Sequence, residues 1–97
     1  MPITLCVLLW VKVGKEELFI KYEDRALQIA STHGGLTLSR LRRRDNSESP
    51  YEIHVIQFPN RVAFQAFMDD PSRLALTDRR EEAITRTEVI EVEQISS

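Results

Sequence analysis

Nine residues near the start of the chain, "ITLCVLLWV" at positions 3–11, limit its fold more than any other stretch. The segment is dominated by aliphatic, β-branched and aromatic residues and Gly14 closes it, so the pattern predicts a strand from Ile3 to Val13. Its odd positions Ile3, Leu5, Val7, Leu9 and Val11 are apolar, and so are Cys6, Leu8 and Trp10 between them. A strand that is apolar on both sides belongs in a sheet covered on both faces. A chain of 97 residues carries enough helix to cover one side of a small sheet. The second side then needs another chain, and a two-fold homodimer with facing sheets, burying about 800 Å² per partner, is the simplest solution.

The remaining elements follow in a regular order. "GKEELFIKYEDRALQIASTHGG" has helical rhythm: Leu18, Tyr22, Ala26 and Ile29 or Ala30 form one stripe, which Phe19 and Leu27 widen. Glu16 and Glu17 suit the helix start, and Gly34 with Gly35 offers left-handed geometry for its end. Residues 36–44 read as a second strand, "DNSESP" as a turn and "YEIHVIQF" as a third strand. Pro59 stops that strand, and Asn60 caps a helix whose apolar side holds Val62 or Ala63, Ala66 and Phe67. Asp70 before Pro71 starts another short helix, "PSRLALTDRREEA", and residues 85–95 form a last strand. The order β-α-β-β-α-β, with its second helix broken in two, is the split βαβ arrangement of ferredoxin-like folds. An α+β domain over residues 1–97 is expected, with a four-stranded antiparallel sheet in the order 4-1-3-2.

Composition excludes several classes. A net charge of −2 argues against a general nucleic-acid binder, which carries a basic excess over its whole domain. The apolar start lacks the basic flank and cleavage site of a signal peptide and is too short for a membrane span, so no membrane partner is expected. A single cysteine, Cys6, cannot form an internal disulfide and suits a cytoplasmic protein.

"LSRLRRRD" nevertheless places four arginines at positions 40–44. The last strand carries Glu88, Glu91 and Glu93. In a face-to-face dimer these two edges can meet, so cross-dimer pairing is one reading and a solvated edge is another. A nucleic-acid site would want aromatics between the arginines, and there are none.

"HGG" before a strand bearing Arg40, then "IQFP", "AFQAFMDDP" and the pair Arg79 and Arg80 before a final strand, resembles the dimeric α+β barrel superfamily, in particular a branch of unknown function. Relatives in that superfamily include antibiotic-biosynthesis-type monooxygenases, haem-degrading monooxygenases and muconolactone isomerases. The resemblance implies a homodimer and a pocket, without fixing a reaction. Phe67 stands where that branch tends to carry tryptophan.

His54 lies in the middle of the third strand, where an imidazole needs a reason. General base and hydrogen-bonded core histidine are the two readings. Arg40 would hold an oxyanion, while Trp10, Tyr22, Phe64 and Phe67 would line an aromatic pocket or form plain core. His33, beside the glycines, and the capping Asp70 are weaker candidates. Two histidines and one cysteine lack metal-site spacing, and no cofactor is expected. Haem enters only through the resemblance, with His54 as the one mid-strand ligand. Three functions stay open: a binding protein for a small apolar or aromatic metabolite held between sheet and helices, a cofactor-independent monooxygenase or isomerase, and a structural module without a pocket. An enzyme needs His54 on a reachable cavity, and a binding protein needs only an apolar hollow.

Overall fold

The computed structural model describes residues 1–95. Its elements are β1 (Ile3–Val11), α1 (Glu16–Thr32), β2 (Leu36–Arg42), β3 (Glu52–Phe58), α2 (Arg61–Met68), α3 (Pro71–Leu74), α4 (Thr77–Ala83) and β4 (Ile84–Val92). The four strands form one sheet in the order β2-β3-β1-β4, with every neighbouring pair antiparallel. This is the expected ferredoxin-like α+β arrangement, with the doubly apolar β1 at the centre. The helices lie on one side of the sheet, giving a slab 39 × 38 × 16 Å across.

The odd residues of β1 meet the helices. Leu9 joins Phe19, Tyr22, Ala26 and Ile29 of α1, together with Leu76, Ala83 and Ile84, while Ile3 and Leu5 join Ala30, Ile56 and Phe58. Val7 and Phe67 touch both clusters. The other face carries Cys6 and Leu8 beside Val55 and Ile53 of β3, with Ile90 of β4 and Leu41 of β2 flanking them. Leu41 and Ile90 are exposed, and none of the described helices covers this face.

Local chemistry sets the element ends. Asn60 accepts a hydrogen bond from the Ala63 amide and starts α2. Asp70 accepts from the Ser72 amide and Pro71 occupies the first turn of α3. The segment expected as one helix over 71–83 is two, α3 and α4, with Leu76 turned into the core between them. At the end of α1 only Gly34 has positive φ, +80°. Gly35 is needed for space: a Cβ there would lie 2.8 Å from the Ala30 carbonyl oxygen and 3.0 Å from the Phe58 ring.

β2 departs from simple alternation. Its register against β3 shifts between Thr37 and Ser39, so Leu36 sits opposite Gln57 on the uncovered face, whereas Arg40 and Arg42 sit opposite His54 and Glu52 on the helix face. A bulge at Leu38 separates residues that share sequence parity.

Candidate functional site

A cavity of about 340 Å³ opens between the sheet and the helices. Leu5, Val7, Ile56 and Phe58 form its floor, and Phe64 and Phe67 of α2 form part of its roof. The amphipathic spacing of α1 adds Tyr22 and Glu23, alternation along β3 adds His54, and α3 and α4 add Arg73 and Arg80. The hollow is therefore largely apolar, with five polar groups at its margin, as small-molecule sites commonly are.

Behind His54 stands a buried ion cluster. Glu52 is 0% exposed. Its carboxylate accepts from Arg40 Nε at 2.8 Å and from Arg42 Nε at 2.8 Å, and lies 2.7 Å from His54 Nε2. Arg40 also reaches Asp24 at 2.7 Å. Burial alone would push the Glu52 carboxyl up, but the hydrogen bonds from His54, Arg40 and Arg42 outweigh it and bring the pKa down to about 2. An ionised carboxylate only accepts, so Nε2 of His54 carries a proton and donates it to Glu52. On the other side of the ring, Nδ1 lies 3.7 Å from Glu23 Oε2.

Glu23 is the opposite case. It is 7% exposed, and burial pushes its carboxyl above the usual range against the pull of His54, while the charge of Glu52 adds to the rise. Burial and the Glu23 charge likewise raise the Tyr22 hydroxyl, against Arg80 and Arg73. Two carboxyls with environments that push them apart thus flank one imidazole, an arrangement suited to taking and returning a proton.

The structure brings His54, Tyr22, Phe64 and Phe67 to one cavity. It does not bring Trp10 there. Trp10 is an even residue of β1 and lies on the far face of the sheet, where its indole donates to the Glu48 carbonyl at 2.9 Å and the Arg86 guanidinium covers its ring. Arg40 does not line the cavity either, because Glu52 and Asp24 hold its guanidinium. Three of the four arginines of the run, Arg40, Arg42 and Arg43, likewise find acceptors among the described residues, and Arg44 is exposed. Arg42 is tied to Glu52 and Arg43 to Asp45, while Glu91 pairs with Arg61 and Glu88 with Arg86, so cross-dimer pairing is not needed to explain these four contacts. His33 caps α1 and meets Asp70 at 2.7 Å, away from the cavity lining. With Nε2 of His54 committed to Glu52, the one nitrogen left with a lone pair is Nδ1, and it faces Glu23 at 3.7 Å rather than an open coordination position, so these residues are a poor fit to haem while Nδ1 stays free to take a proton.

Sequence reasoning missed Glu23, Glu52, Arg73 and the placement of Arg80. Glu23 had a signal: it interrupts the stripe Phe19, Tyr22, Ala26 and Ala30 with a carboxylate on the buried side of α1. Glu52 had another, sharing strand parity with His54, Ile56 and Phe58, all of them buried.

A family model described as a domain of unknown function, DUF1330, matches residues 6–95. No curated protein matches in sequence. Among solved structures, a protein of unknown function from Rhodopseudomonas palustris is 15% identical with a TM-score of 0.80, the match covering 99% of this chain and 84% of that one. A Bacteroides thetaiotaomicron protein assigned to antibiotic biosynthesis monooxygenases is 9% identical with a TM-score of 0.80, covering 98% of this chain and 90% of that one. A dimeric protein of unknown function with a ferredoxin-like fold, from Bacteroides fragilis, is 10% identical with a TM-score of 0.72, covering 96% of each chain. At these identities the likeness establishes the fold alone.

Proposed function

The chain belongs to the DUF1330 family, domains of unknown function, and from that premise we propose that it binds a small apolar or aromatic molecule in the cavity between sheet and helices. The supporting observation is the hollow itself: about 340 Å³, floored by aliphatic and aromatic side chains, at the small end of the ~300–1,000 Å³ typical of ligand sites. Its volume argues against a module whose aromatics close the interior. In this reading residues 1–97 act as one cytoplasmic domain, consistent with the lone Cys6. Two copies join through their uncovered sheet faces to complete the barrel, and the Bacteroides fragilis neighbour, described as dimeric, supports that assembly.

The test is a thermal-shift screen of naphthols, quinols and lactones, repeated with Val89→Trp. Val89 lines the cavity yet is 53% exposed, so a larger side chain can fill the hollow without breaking the core. Compounds that stabilise the parent should lose their effect in the variant. Equal stabilisation of both would place the ligand elsewhere.

The Glu52–His54–Glu23 alignment favours a second reading, a cofactor-independent enzyme of isomerase or monooxygenase type with His54 as base. Arg40 then acts through Glu52 as a positioning residue. Deuterium exchange from D₂O into the acidic C–H of a bound aryl ketone, lost in His54→Ala while binding persists, is the expected signature. Exchange that survives His54→Ala would exclude His54 as the base.

A further inference from the structure

Four arginines are half-buried, Arg40, Arg43, Arg73 and Arg80, and they fall into two kinds. Arg40 faces Glu52 and Asp24, and Arg43 faces Asp45. Arg73 and Arg80 have no carboxylate within ion-pair distance among the described residues, and both line the cavity. Each is held instead by neutral acceptors. Arg73 donates to the Met68 carbonyl at 3.0 Å and lies over the Phe67 ring, its guanidinium carbon 5.4 Å from the ring centre. Arg80 donates to the Thr87 hydroxyl at 2.9 Å and lies close enough to the Tyr22 hydroxyl to pull its pKa down against burial. A guanidinium has five N–H donors, so these bonds fix each group in place and leave most of its donors unused. A charge partly withdrawn from water and lacking a partner is unfavourable, and a planar carboxylate is the group that best matches the guanidinium fork.

The one acid among the lining residues, Glu23, lies beyond ion-pair distance of both arginines, although the Arg80 charge still opposes the rise of its carboxyl. Apart from His54 and the Tyr22 hydroxyl the rest of the lining is apolar, with Phe58 and Phe64 tilted together, their ring centres 5.4 Å apart. The wall therefore has an apolar region that accepts a flat hydrocarbon body and a cationic margin that accepts a negative charge. We propose that the cavity takes an amphipathic organic acid of about naphthalene size, with its ring system among the phenylalanines and its carboxylate on Arg73 and Arg80. The assignment rests on the cavity-binding reading above and adds the charge class of the ligand and the residues that select it.

Three probes of one shape and different charge test it: 2-naphthoate, 2-naphthalenemethanol and 2-naphthylmethylammonium, each titrated into the full-length protein by calorimetry. The naphthoate should bind at least about tenfold more tightly than the alcohol, and the ammonium least tightly. Arg80→Met should bring the naphthoate down to the affinity of the alcohol and leave the alcohol unchanged, while Arg80→Lys should keep part of the preference. If Arg80→Met fails to fold by circular dichroism, Arg73→Met on the exposed helix α3 makes the same measurement. Alcohol and acid binding equally well would overturn the anion assignment and leave the cavity reading intact. Failure of all three probes to bind would overturn both.

Discussion

A carboxylate with no exposed surface persists as an ion only where cations and donors surround it, and Glu52 has two arginines and an imidazole. Its pKa falls from an ordinary 4.5 to about 2, so its ionised form stabilises the fold by about 3 kcal/mol. Above pH 4.5 both folded and unfolded chains carry it ionised and the contribution is complete. As pH drops toward 2 the unfolded chain takes up the proton first and the contribution fades. Urea titrations at stepped pH should show that acid limb, and Glu52→Gln should lower stability at pH 7 by about 3 kcal/mol while flattening it. Glu23 runs the other way. Its raised pKa means that ionisation in the folded state is opposed by burial, so stability is lost as pH rises from 4.5 through the folded value. Glu23→Gln should therefore raise Tm at pH 7 and give no advantage below pH 4.5. A lower Tm at pH 7 would show that Glu23 is held by a structural bond rather than kept at an unfavourable position beside His54. A group retained against its own stability is the mark of a working site. Both acids stood in buried registers of amphipathic elements, so their burial was legible in the sequence. Their opposite titration was not, because it depends on Arg40 and Arg42 arriving from another strand.

Periodicity resolved most of the elements because their local signals agreed. β1, α1, β3 and the caps at Asn60 and Asp70 lie where alternation, helical stripes and capping side chains put them. β2 did not yield to the same reasoning. Counting alternate residues put Leu36 and Arg40 on one face, and the bulge at Leu38 placed them on opposite faces. That single displaced residue decides whether the arginines point at solvent, at a partner or at Glu52, and nothing local encodes it. The turn between α1 and β2 is more tightly specified. Gly35 has no space for a methyl group between the Ala30 carbonyl and the Phe58 ring, and both neighbours are buried. Gly35→Ala should destabilise the protein by about 1–3 kcal/mol in urea unfolding. Because Phe58 also lines the cavity, the same substitution should weaken naphthoate binding, linking the entry of β2 to the site.

At the scale of the molecule, one face of the sheet is closed by helices and the other presents Cys6, Leu8, Ile53, Val55, Leu41 and Ile90. The doubly apolar β1 foretold that imbalance, whereas the position of the hollow depended on how α2, α3 and α4 divide and could not be read from alternation. A contiguous apolar surface of this kind is unfavourable in a lone soluble chain. On the proposed dimer it becomes the centre of an interface of about 800 Å² per partner. Ile90 is the informative position. It neighbours Cys6 on the uncovered face and is 49% exposed, so an aspartate there remains hydrated in a monomer but is buried without a partner in a dimer. Sedimentation at micromolar concentration should give a dimer for the parent chain and a monomer for Ile90→Asp, with secondary structure intact by circular dichroism. The Glu52 cluster lies on the opposite face, so its acid limb should survive in the monomer, although total stability should then cease to depend on protein concentration. A parent chain that sediments as a monomer, with Tm unchanged over a hundredfold dilution, would mean that this face tolerates water and that the barrel does not close.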